Sequence, residues 1–305
     1  MAVPPIFRDD VQQNLFEKQG FVILPFLTLD QLTELRSLFE ELHPNLPQGG
    51  FVTGSAAADL PYRKEASNKL VNLFRPSFDT FFKDYQSFGA SFLFKFPNNE
   101  SEVGVHQDWS IVDEDKHVAI NIWVPLDDIH ADNGPLMLLP GSQYSKHKVH
   151  RAPTLDFFFR GNEKIIIDKL KPFYIKAGEA IVLNQSLIHY SPTNTSGKLR
   201  RSVTAGIKTK GAPMKFYYKP DRQSDLTEVF EMDEDFLIKF ENFQRDIFLQ
   251  PKHGELKEKI KYEVPVYDDV TLDNLAKQLM ERAGYKAKRK SIFNRLFSRL
   301  NGSAS

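Results

Sequence analysis

The chain has 305 residues, enough for one large domain with extensions or for two modest ones. Basic and acidic side chains balance at 40 each and the isoelectric point is near 7.1. No global basic field marks a nucleic-acid binder, and no acidic excess marks a disordered chain. Cysteine is absent, which excludes disulfides, thiolate metal sites and a cysteine nucleophile.

In chain order, the first ten residues lack a basic, then apolar, leader pattern, and no uncharged apolar run reaches membrane-spanning length. The expectation is a soluble cytoplasmic protein. Residues 9–19 read as a helix ended by Gly20, and Phe21-Val22-Ile23-Leu24 as a short buried strand. Thr28-Leu29-Asp30-Gln31 has the form of a capping box. It opens a helix to Leu42 with Leu32, Leu35, Leu38, Phe39 and Leu42 on one face. Residues 44–66 are rich in Pro and Gly, and a further helix is expected over 67–87. The 26 phenylalanines predict an aromatic-rich core.

From Ser91 the pattern becomes short strands. Phe92 to Phe96, Val118 to Val124, Ile165 to Ile167, Phe173 to Ile175, Ala180 to Leu183 and Ser202 to Ile207 follow one another between Gly and Pro signals. Many short strands with turns predict an antiparallel sandwich or a jelly-roll barrel, which periodicity alone does not separate. Residues 226–248, acidic and aromatic, are expected to be helical, as are 271–283. The last segment carries Lys286, Lys288, Arg289, Lys290, Arg295 and Arg299 and no acid from 286 to 300. On a helix, Ile292, Phe293, Leu296, Phe297 and Leu300 share one side.

The candidate chemistry sits at His106-Gln107-Asp108. Side chains two apart on a strand point the same way, so His106 and Asp108 can face one ion from one extended segment. His189 lies 81 residues beyond Asp108, at the end of the run Ile181 to His189. Two imidazoles and one carboxylate on one face of an octahedral ion leave three positions open, the arrangement of non-haem Fe(II) oxygenases; Mn or Zn suits the same donors. His117, His130, His147, His150 and His253 have no comparable partner in the sequence. Arg200, Ser202 and Thr204 alternate on one strand face just past His189. An arginine inside a barrel is costly unless it meets a carboxylate, which its planar fork matches bidentately. Arg200 with Ser202 therefore suits the distal carboxylate of a dicarboxylic acid chelating the metal; a tandem-Arg surface turn is the plainer reading. Lys95 and Asn121 lie on strands expected to line the barrel, within reach of such an acid or of substrate. Trp109 is a candidate pocket wall for substrate or an ordinary core residue.

Taken in order, these residues resemble the phytanoyl-CoA dioxygenase-like branch of the Fe(II)/2-oxoglutarate dioxygenases. The carriers are His106-Gln107-Asp108, Asn133-Gly134-Pro135-Leu136, Leu139-Pro140-Gly141-Ser142, Gly178-Glu179-Ala180, His189, Asn194 and Arg200-Arg201-Ser202, within about 20–207. The resemblance implies a mainly β fold with flanking helices, a double-stranded β-helix of the cupin-like jelly-roll type. It implies Fe(II) on His106, Asp108 and His189, and 2-oxoglutarate on an arginine eleven residues past the distal histidine, which favours Arg200 over Arg201. It further implies O2 as oxidant, with decarboxylation of 2-oxoglutarate to succinate driving oxidation of a C–H bond. Halogenating relatives replace the carboxylate by a small residue; Asp108 is present, so hydroxylation or another oxidation is favoured over halogenation. Gln143 stands where relatives often have His, and the chain beyond about Phe216 has no assignable counterpart.

The expected organisation is a dioxygenase jelly roll with N-terminal helices over 1–215, a helical C-terminal extension packed on it over 216–285, and a basic amphipathic tail over 286–305. The motifs leave the substrate open. A basic helix with Phe and Ile on its apolar side suits an anionic membrane surface. That favours peripheral contact through 286–300 on the inner face of a membrane. It also favours a small-molecule or lipid-linked substrate, such as a glycolipid sugar, the Kdo of a lipopolysaccharide precursor being the sharpest version. A solvated or docked terminal helix is the plainer alternative, and the oligomeric state is unknown. Two rival readings stand beside the oxygenase: a non-catalytic jelly-roll protein binding metal and a small acid or a lipid, and a Zn or Mn cupin-like isomerase or hydrolase.

Overall fold

The computed structural model of the protein describes residues 4–46, 49–54, 59–144, 150–221 and 223–286. Helix α1 (Asp10–Gln19) starts where the Asp9 carboxylate accepts from the Gln12 N–H and stops at Gly20, whose φ of 84° is strained for other residues. Strand β1 (Phe21–Pro25) follows, then α2 (Leu29–Leu42), opened by the reciprocal Thr28–Gln31 capping box. After β2 (Phe51–Thr53) comes α3 (Leu60–Phe81), capped by Asp59. This helix begins and ends earlier than the expected 67–87, because β3 (Tyr85–Lys95) already starts at Tyr85. Next are β4 (Val103–His106), β5 (Ala119–Pro125), β6 (Leu136–Leu138), α4 (Glu163–Ile167), β7 (Lys171–Phe173), β8 (Glu179–Asn184), β9 (His189–Ser191) and β10 (Arg200–Thr209). The chain continues as β11 (Met214–Tyr218), β12 (Leu226–Met232), α5 (Phe236–Lys239), α6 (Phe243–Asp246), β13 (Glu255–Lys261) and α7 (Asp269–Arg282).

A six-stranded sheet in the order β1-β8-β5-β10-β3-β2 and a four-stranded sheet in the order β4-β9-β6-β7 form the body. Pairings within both are antiparallel. The larger sheet has two different faces. Ile120, Ile122, Val124, Val203, Ala205, Phe92 and Phe94 meet Phe16, Leu35, Phe39, Leu70 and Phe74 of the three N-terminal helices. The opposite parity puts Trp123, Ile181 and Leu183 against Leu136, Leu138 and Leu187 on the side of the smaller sheet. The abundant Phe is thereby placed: Phe7, Phe39, Phe74, Phe78, Phe82, Phe92 and Phe94 are fully buried, each contributing roughly 1.5–3 kcal/mol relative to exposure. Helices outside and two antiparallel sheets inside make the expected jelly roll. Among the described residues no helix is long and apolar enough to cross a membrane.

Three expectations are corrected. Ile165-Ile166-Ile167 is the end of α4, not a strand; Ile166 packs with Leu272 and Ala276 of α7, and that tertiary contact overrides β-branched propensity. The run Ile181 to His189 is not one strand. β8 ends at Asn184 and a turn carries the chain to the other sheet, where His189 begins β9. Residues 226–248 are not a helix: β12 is the central strand of a three-stranded sheet β11-β12-β13, followed by the single turns α5 and α6. Glu228, one of the acidic residues expected on that helix, is instead a cross-strand partner of Lys259 at 2.8 Å. The C-terminal helix α7 covers the smaller sheet through Leu272, Leu275, Leu279 and Met280. The basic tail beyond Lys286 lies outside the described residues.

Candidate metal centre

His106 ends β4 and His189 begins β9, and the two face each other in register across the antiparallel ladder. Their rings lie 4.1 Å apart. Asp108, just beyond β4, brings Oδ1 to 3.9 Å from His106 Nε2 and 3.8 Å from His189 Nε2. One donor atom from each of the three side chains falls within 4.8 Å of the others, a set that suits one metal ion.

The backbone sets which nitrogen faces inward. His106 Nδ1 lies 2.7 Å from the Gly104 carbonyl, and His189 Nδ1 lies 2.9 Å from the Leu187 carbonyl. A carbonyl only accepts, so both Nδ1 atoms carry hydrogen and both Nε2 lone pairs are free for a metal. Burial, and after it the neighbouring His189, push the His106 imidazole down to about 4 against the pull of Asp108. It is therefore neutral at neutral pH, the form that ligates.

Asp108 is held at two points. Asn121 Nδ2 donates to Oδ2 at 2.6 Å, which leaves Oδ1 to the two histidines. Arg151 Nε donates to the Asp108 backbone carbonyl at 2.8 Å. Arg151 is itself buried and clamped by Glu114, with Nη1 at 2.9 Å from Oε2. The Arg151 and Ser110 backbones are tied to each other as well, by Ser110 N–H to the Arg151 carbonyl at 2.9 Å and Arg151 N–H to the Ser110 hydroxyl at 3.1 Å. Arg151 and Glu114 escaped the sequence reading because they stand 43 and 6 residues from Asp108 with no motif between them.

Arg200 opens β10 with the inward parity of Asn121 and Trp123, whereas Arg201 points to the helices and pairs with Glu40 and Asp127. The Arg200 guanidinium is 3% exposed and sits 5.3 Å from the Trp123 ring centre. Nη1 donates to the Gly134 carbonyl at 2.7 Å, while Nε has no partner. Among the described residues no carboxylate pairs with it. Burial pushes it down to about 9, so it stays charged at neutral pH. A buried, charged and under-satisfied fork calls for an anion.

His106, Asp108, His189, Asn121, Arg200 and Trp109 all line one cavity of about 530 Å³. Two other expected site residues serve elsewhere. Ser202 is fully buried, donates to the Leu93 carbonyl at 3.4 Å and is not part of the lining. Lys95, paired with Arg200 across the β3–β10 ladder, gives its ammonium to the Ser191 hydroxyl and carbonyl at 2.8 Å each and to the Pro192 carbonyl. Burial, then the Arg200 charge, push it down to about 7. The Ser191 hydroxyl donates onward to the Gly134 carbonyl that Arg200 also uses, so Lys95 braces the segment after His189. Gly134 is required there: at φ 73°, a Cβ would come within 2.7 Å of the Pro192 carbonyl. Ser142 and Asn194 of the motifs are scaffold too. The Ser142 hydroxyl accepts from Ile188 N–H at 2.8 Å, just before His189, and Asn194 Nδ2 donates to the Lys95 and Lys198 carbonyls. A second cleft of about 760 Å³, between α3 and the start of β3, contains none of the triad.

Known proteins bear on this geometry. The chain is 33% identical over 127 residues to a phytanoyl-CoA dioxygenase of Arabidopsis thaliana, covering 39% of this chain and 42% of that protein. It is 32% identical over 125 residues to phytanoyl-CoA dioxygenase domain-containing protein 1 of Danio rerio, covering 39% and 43%. The chain thus spans less than half the length of these curated relatives. In fold it is similar to the non-heme alpha ketoglutarate dependent carbocyclase SnoK from nogalamycin biosynthesis, with a TM-score of 0.50, 17% identity, and 70% of this chain and 88% of that one covered. The model of the family Phytanoyl-CoA dioxygenase (PhyH) matches residues 16–202, from the end of α1 through all three metal-facing side chains to Ser202. The chain belongs to the phytanoyl-CoA dioxygenase family.

Proposed function

We propose that the protein is an Fe(II)- and 2-oxoglutarate-dependent dioxygenase acting as a hydroxylase on a small organic molecule. The observation that carries this is the shared cavity: three metal donors and, on its wall, a buried guanidinium with no carboxylate partner among the described residues. His106, Asp108 and His189 would hold Fe(II), which would supply the oxidising chemistry with 2-oxoglutarate and O2 as co-substrates. The balance is one 2-oxoglutarate, one O2 and one C–H bond in, and succinate, CO2 and one C–OH bond out.

The protein's own share is positioning and exclusion of water. Arg200 binds the distal carboxylate of 2-oxoglutarate, whose charge replaces the missing partner. Gly134 and Trp123 hold the guanidinium in place. Asn121 occupies one oxygen of Asp108, so the other meets the metal. Arg151 and Glu114 keep the turn after β4 from moving. The membrane-surface and lipid-linked expectations rest on residues 286–300, of which only Lys286 is described, and they add nothing to the site.

Purified protein with Fe(II), 2-oxoglutarate and O2 is expected to release succinate, faster once a substrate from a metabolite pool is added. An Asp108→Ala variant is expected to release none above background. Wild-type protein that binds 2-oxoglutarate yet yields no more succinate than Asp108→Ala under any substrate pool would favour a non-catalytic binding protein instead.

A further inference from the structure

One wall of the cavity is built by residues beyond the family-matching region. Leu237 and Ile238 of α5, Phe243 of α6 and Ile247 just after it line the same space as the triad. We infer that this segment, 236–247, is the specificity-determining cover of the pocket and selects an uncharged, largely hydrophobic substrate. The inference rests on the dioxygenase reading for the fate of Asp108 and Arg200.

The cover is joined to the metal centre by an aromatic chain. Trp109, the residue after Asp108, stacks on Phe243 at 5.8 Å with the rings 7° from parallel. Phe240 meets Phe243 edge-on at 5.6 Å and Phe236 at 6.2 Å, and Phe236 meets Phe216 of β11 at 6.1 Å. Both ends of α5 are anchored to the body. Glu234 pairs with the fully buried Lys208 of β10 at 3.1 Å, and Arg63 of α3, also buried, donates to the Phe240 carbonyl. A single-turn helix has little stability of its own, so these anchors and the aromatic contacts hold it over the opening.

The lining states what fits beneath. Among the described residues, its only charged or imidazole side chains are His106, Asp108, His189 and Arg200. The metal takes three of these and the co-substrate carboxylate takes the fourth. What remains is largely apolar, with Phe51, Leu93, Trp109, Ile111, Leu237 and Phe243 among it, and its polar groups are uncharged hydroxyls and amides such as Thr53, Asn121, Gln185 and Thr204. A charged substrate portion placed there would be desolvated without a partner. A sugar acid such as Kdo, with a carboxylate and several hydroxyls, is therefore a poor occupant, and an uncharged apolar skeleton is a good one.

The test uses the full chain loaded with Mn(II) and 2-oxoglutarate. Two fluorescent probes share one skeleton: neutral N-phenyl-naphthylamine and its sulfonated counterpart, anilinonaphthalene sulfonate. The neutral probe is expected to bind at least about tenfold more tightly than the sulfonate, because an unpaired buried charge is penalised. Phe243→Ala and Leu237→Ala are expected to weaken the neutral probe about tenfold, the usual loss for an apolar anchor in a closed pocket. Affinity for 2-oxoglutarate should stay within about twofold in both, since neither residue faces Arg200 through a polar contact. Phe248→Ala, which removes an exposed ring outside the lining, is expected to change nothing. The proposal is overturned if wild type fails to bind the neutral probe, if the sulfonate binds as well, or if Phe243→Ala and Leu237→Ala behave like Phe248→Ala. Failure of wild type to bind Mn(II) and 2-oxoglutarate would remove the dioxygenase reading instead. The neutral probe titrated without either still decides the cover.

Discussion

At the metal end of the cavity almost every side chain is held by a directional bond, whereas at the cover end almost none is. His106, His189, Asp108 and Arg200 each meet a named carbonyl or amide group, at 2.6–2.9 Å. Leu237, Ile238 and Phe243 have only apolar contact, and their segment is fixed by anchors at Glu234 and Phe240 outside the lining. Directional bonds hold donors to a few tenths of an ångström, which metal coordination demands. Apolar surfaces tolerate exchange of shape, which substrate selection demands. On the proposed function one end of the cavity carries the reaction and the other the choice of substrate, and mutations are expected to separate the two.

The strongest break is Asp108→Ala. It removes the one anionic donor while leaving the Arg151 bond to the residue-108 backbone, so the fold persists. Succinate formation is expected to fall to background while far-ultraviolet circular dichroism stays native. Persistent turnover in the folded variant would remove Asp108 from the metal.

Arg200→Met comes next, and it moves two quantities in opposite directions. Loss of a charge-assisted pairing should raise the 2-oxoglutarate concentration for half-maximal rate roughly tenfold to a hundredfold. Replacing a buried, unpaired cation with an apolar chain should also stabilise the protein without co-substrate, by about 1–4 kcal/mol. Denaturant titration with and without 2-oxoglutarate reads both effects. The variant should start higher and gain less than the wild type from the same concentration of ligand. A variant that starts lower, and gains as much as the wild type, would show that Arg200 is a structural cation.

Arg151→Met sharpens the contrast between the two ends. Freeing the Asp108 turn should weaken metal affinity about 10–100-fold, as loss of a bond behind a ligand does, with neutral-probe binding unchanged. Phe243→Ala is expected to show the reverse pattern. Calorimetric titration of Mn(II) into both variants decides it, and equal losses in both would mean the two ends are one coupled unit.

The metal end was largely legible in the sequence and the cover was not, for physical reasons. His106 and Asp108 stand two residues apart at and just past the end of β4, close enough to face one ion, and strand parity separates Arg200 from Arg201, which pairs with Glu40. The position of His189 in the strand was misread. An apolar run across Ile188 looks continuous, although the chain turns at Asn184 to change sheets. Lys95 and Ser202 have the right parity for the cavity, but hydrogen bonds to Ser191, Pro192 and Leu93 claim them. Nothing local announces such claims. Residues 226–248 mislead because cross-strand ion pairs and helix-surface charges look alike in one dimension. Arg151 acts through a backbone carbonyl, an acceptor that every residue has, so no residue type marks its partner.

Lys95 gives the smallest effect, and it asks whether directional bonds or desolvation govern the border of the metal end. Its ordinary value is 10.5, and burial with the Arg200 charge lowers it to about 7 in the folded protein. Between those values the unfolded chain holds a proton that the folded chain has released, so stability should rise with pH across that window. Below about 7 both states are protonated and the contribution to the slope vanishes. Urea midpoints of wild type and Lys95→Met at pH 7, 8 and 9 isolate this group, because every other titration is common to both proteins. The wild-type midpoint is expected to climb relative to the variant as the pH rises. A constant difference would mean that the ammonium stays charged, held by the Ser191 and Pro192 oxygens against the cost of burial. In that case the bonds behind His189 are strong enough to keep a second buried cation beside Arg200.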